Sequence, residues 1–348
     1  MNSVDIKNKI ICGDALLELK KLPNESIDCA ITSPPYWALR DYGVKGQLGL
    51  EPTFQEYITK LCDIFDEVKR VLKKEGTCWV NIGDTYASGG GASRHKGYND
   101  PKYPNGRTGE FEEPNTNPQK GATEKSLCQI PSRFAIEMTN RGWILRNKII
   151  WNKPNCMPSS AEDRFTVDFE EIFFFVKSKK YYFEQQLEKA IWAEKDYRSK
   201  IEGGVLSGGK TATGEYATKR VAYSKKVKDS VEFFGEGSGN PGNGLYGSTL
   251  GEITPNMEMG LKNKRTVWRI NTKGYSEAHF ATYPEALVEP MIKAGCPKDG
   301  TVLDIFMGSG TTAIVALQLD RKYLGVELNE EYIKIAQDRI KPYENKLF

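Results

Sequence analysis

Apolar positions in the first 80 residues follow two periods in turn. Short runs at 9–12, 27–32 and 77–82 read as buried strands, while segments near 15–20 and 54–72 repeat apolar residues at helical spacing. That alternation predicts a parallel α/β sheet. It breaks across 85–126, where a Gly89-Gly90-Gly91 run, prolines and asparagines describe a long loop without fixed structure. Regular pattern resumes with a helix near 132–141 and strands near 143–151 and 171–177. A second interruption spans 184–265, and the chain then ends in helix 283–294, strand 301–306, helix 311–319, strand 322–327 and helix 330–341. The expectation is one domain in two halves, 1–183 and 266–348, sharing a mixed, mostly parallel sheet of about seven strands around an inserted module at 184–265.

Composition narrows the function classes. The apolar fraction of 39% suits a buried core, and a net charge of +3 is neutral on partners, so any nucleic-acid contact must come from local basic patches. One such cluster, Lys219, Arg220, Lys225, Lys226 and Lys228, lies in the 184–265 module, which also holds, between Gly203 and Gly251, 12 of the 33 glycines. Seven cysteines without a Cys-x-x-Cys pair, and only two histidines, exclude a zinc site and point to reduced thiols in a cytoplasmic protein. No apolar run is long enough for a membrane span.

The segment 301–313 joins a buried strand to a helix start through Phe306-Met307-Gly308-Ser309-Gly310-Thr311-Thr312, a G-x-G-x-x-A nucleotide fingerprint with Glu327 nineteen residues after Gly308. The glycines permit a tight turn and close ligand approach, and a carboxylate at the next strand end accepts hydrogen bonds from ribose hydroxyls. Asp304, at the end of the first strand, would repel a pyrophosphate but attract an ammonium group, which favours S-adenosylmethionine over NAD. The absence of lysine after Gly310 excludes an ATP phosphate loop.

A second cluster, Ser33-Pro34-Pro35-Tyr36-Trp37, follows the strand at 27–32. Two prolines stiffen a turn at the sheet edge where open α/β sheets bind ligands. The exocyclic amine of cytosine or adenine is a poor nucleophile because its lone pair is delocalised into the ring. Acceptors for its N–H groups, such as Ser33 Oγ and the Pro34 carbonyl, favour the tetrahedral nitrogen that attacks. Tyr36 supplies a face on which an extruded base stacks. Direct transfer to nitrogen needs no cysteine nucleophile, and none stands in this segment.

With both clusters in this order, the sequence resembles the β-type amino DNA methyltransferases over about 1–182 and 266–348. The resemblance implies a Rossmann-like methyltransferase fold in permuted order, with the catalytic loop at Ser33, Pro34, Pro35 and Tyr36. It places cofactor contacts at Phe306, Gly308, Ser309, Gly310, Thr311, Thr312 and Glu327, with Asp14 contacting adenine and His279 closing over the methionine end. It implies that Trp151 and Lys153, in Ile149-Ile150-Trp151-Asn152-Lys153-Pro154, face target base or strand, with Trp37 beside the base, and that 184–265 recognises the target. The partners it implies are double-stranded DNA and a cognate restriction endonuclease, for a monomer or homodimer. A loop beginning with serine favours cytosine-N4 over adenine-N6. A catalytically silent DNA-binding protein, or a methyltransferase acting on RNA or protein amides, is the alternative from another class.

Overall fold

The computed structural model describes residues 7–39, 43–87, 122–189, 261–272 and 282–344. Ten strands appear among them: β1 (Lys9–Cys12), β2 (Ile27–Thr32), β3 (Leu72–Ile82), β4 (Ile144–Asn152), β5 (Phe169–Val176), β6 (Leu187–Lys189), β7 (Leu261–Asn263), β8 (Val267–Arg269), β9 (Thr301–Asp304) and β10 (Lys322–Glu327). Six helices accompany them: α1 (Ala15–Lys21), α2 (Phe54–Val71), α3 (Ile130–Asn140), α4 (Glu285–Gly295), α5 (Thr311–Gln318) and α6 (Glu330–Glu344). The chain divides into two compact units, Met1–Gln185 with Thr266–Phe348, and Gln186–Arg265.

The large unit is built on one eight-stranded sheet in the order β1-β10-β9-β2-β3-β5-β4-β8. Strands from the two chain ends interleave: β10 and β9 lie between β1 and β2, all parallel. Antiparallel β5 then separates β3 from β4. The expected seven strands are present, and the eighth is β8, which extends the sheet parallel to β4. Three residues, Val267-Trp268-Arg269, are too few to carry a period, so pairing with β4 alone defines that strand.

Strand alternation divides the core between the two sheet faces. Cys78, Val80, Ile82, Phe173 and Phe175 pack with α1, α2 and α3 on one side, and Trp79, Ile172, Phe174 and Val176 pack with α4, α5 and α6 on the other. Helix α2 is fixed at its start by Thr53, whose Oγ1 accepts from the Glu56 amide at 3.2 Å in a Thr-x-x-Glu capping box. The ends of the expected 85–126 loop are structured: Ala87 and Ser126 share a backbone hydrogen bond, and Tyr86 bridges Leu127. In the small unit, β6 and β7 pair antiparallel, and Glu188 holds Arg265 at 2.5 Å. Among the described residues, no helix is long and apolar enough to cross a membrane, and no cluster of side chains suits a metal ion.

On the second face the Trp79 and Phe174 rings stack in parallel with centroids 4.0 Å apart. Replacing Phe174 by Ala should remove that contact, leave a cavity between β3, β5 and β4, and destabilise the large unit by about 3–5 kcal/mol. Urea unfolding followed by tryptophan fluorescence measures the shift.

Candidate active site

A cavity of about 670 Å³ opens where the parallel strands of the large unit end. Residues following β1 (Gly13, Asp14), β2 (Ser33, Pro34, Pro35, Tyr36), β9 (Phe306, Gly308, Ser309) and β10 (Leu328, Asn329) line it, with Asn81 of β3 and Glu327 of β10. Loops from opposite ends of the chain thus face one space, at the edge where α/β sheets hold ligands.

The turn after β9 is shaped by its glycines. Gly308 has φ +52° and no atom nearer than 3.9 Å to where a β-carbon would sit, so its open side leaves room for close approach. Gly310, at φ +82°, instead packs against α6: a β-carbon there would meet Ala336 at 3.0 Å. Glu327 braces the same turn, accepting from the Gly308 amide and the Asn329 amide at 2.8 Å each. Burial pushes its carboxyl above the ordinary range, against the pull of those amides. Asp14 caps α1 by accepting from the Leu17 amide at 2.9 Å, and Arg339 donates to the Ser309 carbonyl and hydroxyl at 2.6 Å.

Asp304 sits behind the cavity wall, 1% exposed, and is not one of the cavity's lining residues. Its Oδ1 accepts from Thr32 Oγ1 at 2.7 Å and the Phe306 amide at 3.1 Å; its Oδ2 accepts from Tyr283 Oη at 2.8 Å and Thr312 Oγ1 at 2.5 Å. The carboxylate expected to face an ammonium group is committed here to four internal donors. Burial raises its pKa, and the Tyr283 hydroxyl beside it is pushed well up, first by burial and then by the Asp304 charge. Thr312, bonded to Asp304, and Gly310, packed against α6, also stand off the cavity, whereas Ser309 and Thr311 line it.

The 33–36 loop is held at three points. Tyr57 Oη donates to the Pro35 carbonyl at 2.8 Å, the Ala38 amide donates to the Gly49 carbonyl, and Trp37 Nε1 donates to the Glu51 carbonyl at 2.9 Å. Trp37, expected beside the base, is 2% exposed and packs edge-on against Phe54; it anchors the loop in the core. The Tyr36 ring lies so close to Gly83 that a β-carbon there would come within 2.5 Å of Cε2. Its hydroxyl donates to Glu170 Oε2 at 2.7 Å and accepts from Asn81 Nδ2 at 2.9 Å. Burial, then the Glu170 charge, holds that phenol well above its usual pKa, so it is a neutral donor.

Trp151 and Lys153 line the same cavity, next to the 33–36 loop. The Trp151 indole donates to the Ile270 carbonyl at 2.8 Å, and Lys153 Nζ lies 4.5 Å from the centre of its ring while pairing with Glu170 Oε1. His279, Lys219, Arg220, Lys225, Lys226 and Lys228 lie outside the described residues. Sequence reading missed Asn81 and Glu170. Asn81 stands at the C-terminal end of β3, where the sheet-edge rule applies, whereas Glu170 is brought there only because β5 runs antiparallel.

A family model for DNA methylases, N6_N4_Mtase, matches residues 27–338. Type II methyltransferase M.SmaI of Serratia marcescens is 39% identical over 95% of this chain and 90% of its own length. Type II methyltransferase M.Cfr9I of Citrobacter freundii is 38% identical over 94% and 86%. Among solved structures, the cytosine-N4-specific PvuII DNA methyltransferase matches with a TM-score of 0.52 at 21% identity, covering 98% of this chain and 92% of that one. A Thermus thermophilus structure complexed with S-adenosyl-L-methionine matches at 0.53 and 19%, covering 97% of this chain and 94% of that one. These two likenesses establish a shared fold, and the sequence matches go further: this chain belongs to the N6/N4 family of DNA methylases.

Proposed function

We propose that the chain methylates the exocyclic amine of a base extruded from double-stranded DNA, using S-adenosylmethionine, with cytosine N4 as the target. The observation that supports this best is the common cavity lined by both Ser33, Pro34, Pro35 and Tyr36 and by Phe306, Gly308, Ser309, Thr311 and Glu327. The open side of Gly308 and the carboxylates of Glu327 and Asp14 suit a nucleoside with a short polar chain, and so fit the cofactor. When bound, S-adenosylmethionine supplies a sulfonium-activated methyl group.

The chain's own residues do the rest. Glu327 receives ribose hydroxyls, Asp14 meets the adenine, and His279 closes over the methionine end. Asp304 acts from behind the wall, by holding the turn that carries Phe306 and Gly308. Ser33 Oγ and the Pro34 carbonyl accept the amine N–H groups while Tyr36 stacks on the base, and the stiff proline turn keeps acceptor and ring in register. Trp151 and Lys153 face the base or its strand. Residues 184–265 recognise the target, with Lys219, Arg220, Lys225, Lys226 and Lys228 on phosphates. The setting is cytoplasmic, beside a cognate restriction endonuclease.

The serine that opens the loop favours cytosine N4, and adenine N6 is the second reading. Digesting DNA modified by the chain to nucleosides and weighing them decides between the two. N4-methylcytosine is expected, N6-methyladenine would install the second reading, and no methylated amine would overturn both.

Tyr36→Ala should cost methyl transfer about 10- to 100-fold by removing stacking worth about 1–3 kcal/mol, with cofactor affinity unchanged. Tyr36→Phe keeps the ring and loses only the hydroxyl's bonds to Glu170 and Asn81, so it should retain more activity than the alanine variant. Radiolabelled methyl transfer separates the two. Neutralising the five basic residues together should weaken DNA binding and flatten its salt dependence, leaving cofactor binding intact. An unaltered salt slope in DNA titrations would remove this module from the phosphate contacts.

A further inference from the structure

Strand parity brings Lys153 together with two polar side chains, Asn81 and Glu170, that no sequence motif accounts for. Asn81 shares its face of β3 with Trp79, and Glu170 shares its face of β5 with Ile172 and Phe174. Lys153 continues the face of β4 that bears Trp151, which stands opposite Glu170 in the sheet. Asn81 is 4% exposed, and the Lys153 and Glu170 side chains are largely buried. All three line the cavity beside the 33–36 loop.

Glu170 sets the direction of every hydrogen bond in this group. Its Oε1 pairs with Lys153, and its Oε2 accepts from Tyr36 Oη at 2.7 Å and Asn81 Nδ2 at 2.8 Å. An ionised carboxylate has no proton to give, so the Asn81 amide must turn its NH₂ towards it. That NH₂ also reaches Tyr36 Oη at 2.9 Å and Ser33 Oγ at 3.4 Å. The Tyr36 hydroxyl has one proton, and it goes to Glu170, leaving the oxygen to accept from Asn81. Asn81 Oδ1 is meanwhile buried with no hydrogen-bond partner, an orientation that an amide without such a neighbour would abandon.

A largely buried ion pair is a weak device for stability, because apolar replacements of similar volume are often neutral or better. A pair that also orients the groups facing a substrate has a reason to be there. We propose that Glu170 is a positioning residue for methyl transfer: held by Lys153, its carboxylate fixes the Tyr36 ring and the Asn81 amide, and through them Ser33, against the target base. The proposal rests on the amine-methylation reading above, in which Tyr36 and Ser33 meet the base.

The test uses the full chain, a DNA substrate it methylates and S-adenosylmethionine, with Glu170→Gln, Asn81→Asp and the double variant. Glu170→Gln removes the negative charge, and Asn81→Asp sets two carboxylates about 2.8 Å apart, so each should lower kcat at least about tenfold. Cofactor and DNA dissociation constants should stay within about threefold, and unfolding midpoints should show each variant folded. The double variant restores one carboxylate facing one amide with donor and acceptor exchanged, and its kcat should recover to within about threefold of wild type. Lys153→Met, which strips the carboxylate of its counter-charge, should lower kcat by a second route. A Glu170→Gln variant at wild-type kcat, or a double variant no faster than the slower single one, overturns the inference alone. A wild-type chain that transfers no methyl to DNA overturns the reading beneath it.

Discussion

The cavity depends on one buried charge. Asp304 ends β9 where water cannot reach it, and an isolated carboxylate there would cost several kcal/mol. Four donors offset that cost, and each comes from a different place in the chain: Thr32 at the end of β2, Phe306 in the turn, Tyr283 before α4 and Thr312 in the first turn of α5. Satisfying the charge therefore fixes the end of the strand that leads into the 33–36 loop against the turn that carries Gly308. Residues 272 positions apart in sequence become neighbours at 2.7 Å.

Around that tie the cavity has two chemically distinct sides. On the β9 and β10 side, Glu327 and an open glycine face the space, and Glu327 is already braced by two backbone amides. On the β3 and β5 side, a phenol, an amide and an ion pair form one hydrogen-bonded set. The two buried phenols, Tyr36 and Tyr283, are both pushed towards the neutral form and both donate to a carboxylate. The site is thus built from oriented donors around fixed anions, an arrangement that needs little reorganisation when a ligand enters.

Much of this was legible in the sequence because it is local. Alternation located seven strands of the large sheet, and Ser33, Tyr36, Gly308 and Glu327 stand out as motifs beside strand ends, where they now line one cavity. What escaped depends on pairing. The short β8 has no period to read, and Glu170 joins the site only through the antiparallel direction of β5, which composition does not encode. Trp37 shows a related limit: an aromatic next to a motif looks available for contact, and only the packing of Phe54 and the Glu51 carbonyl shows it facing inward. Asp304 shows the same limit. Its position at a strand end was evident, but its donors Thr32 and Tyr283 belong to segments that only the fold brings near.

Titration calorimetry of S-adenosylmethionine with wild-type protein and Asp304→Asn tests the central claim most directly. An asparagine keeps the size but presents an NH₂ where two hydroxyl donors now converge, so the turn should loosen. Hydrogen bonds to a charged group contribute about 1.5–3 kcal/mol each, so the variant, folded by circular dichroism, should bind the cofactor at least about tenfold more weakly. A folded Asp304→Asn variant with wild-type affinity would contradict the account.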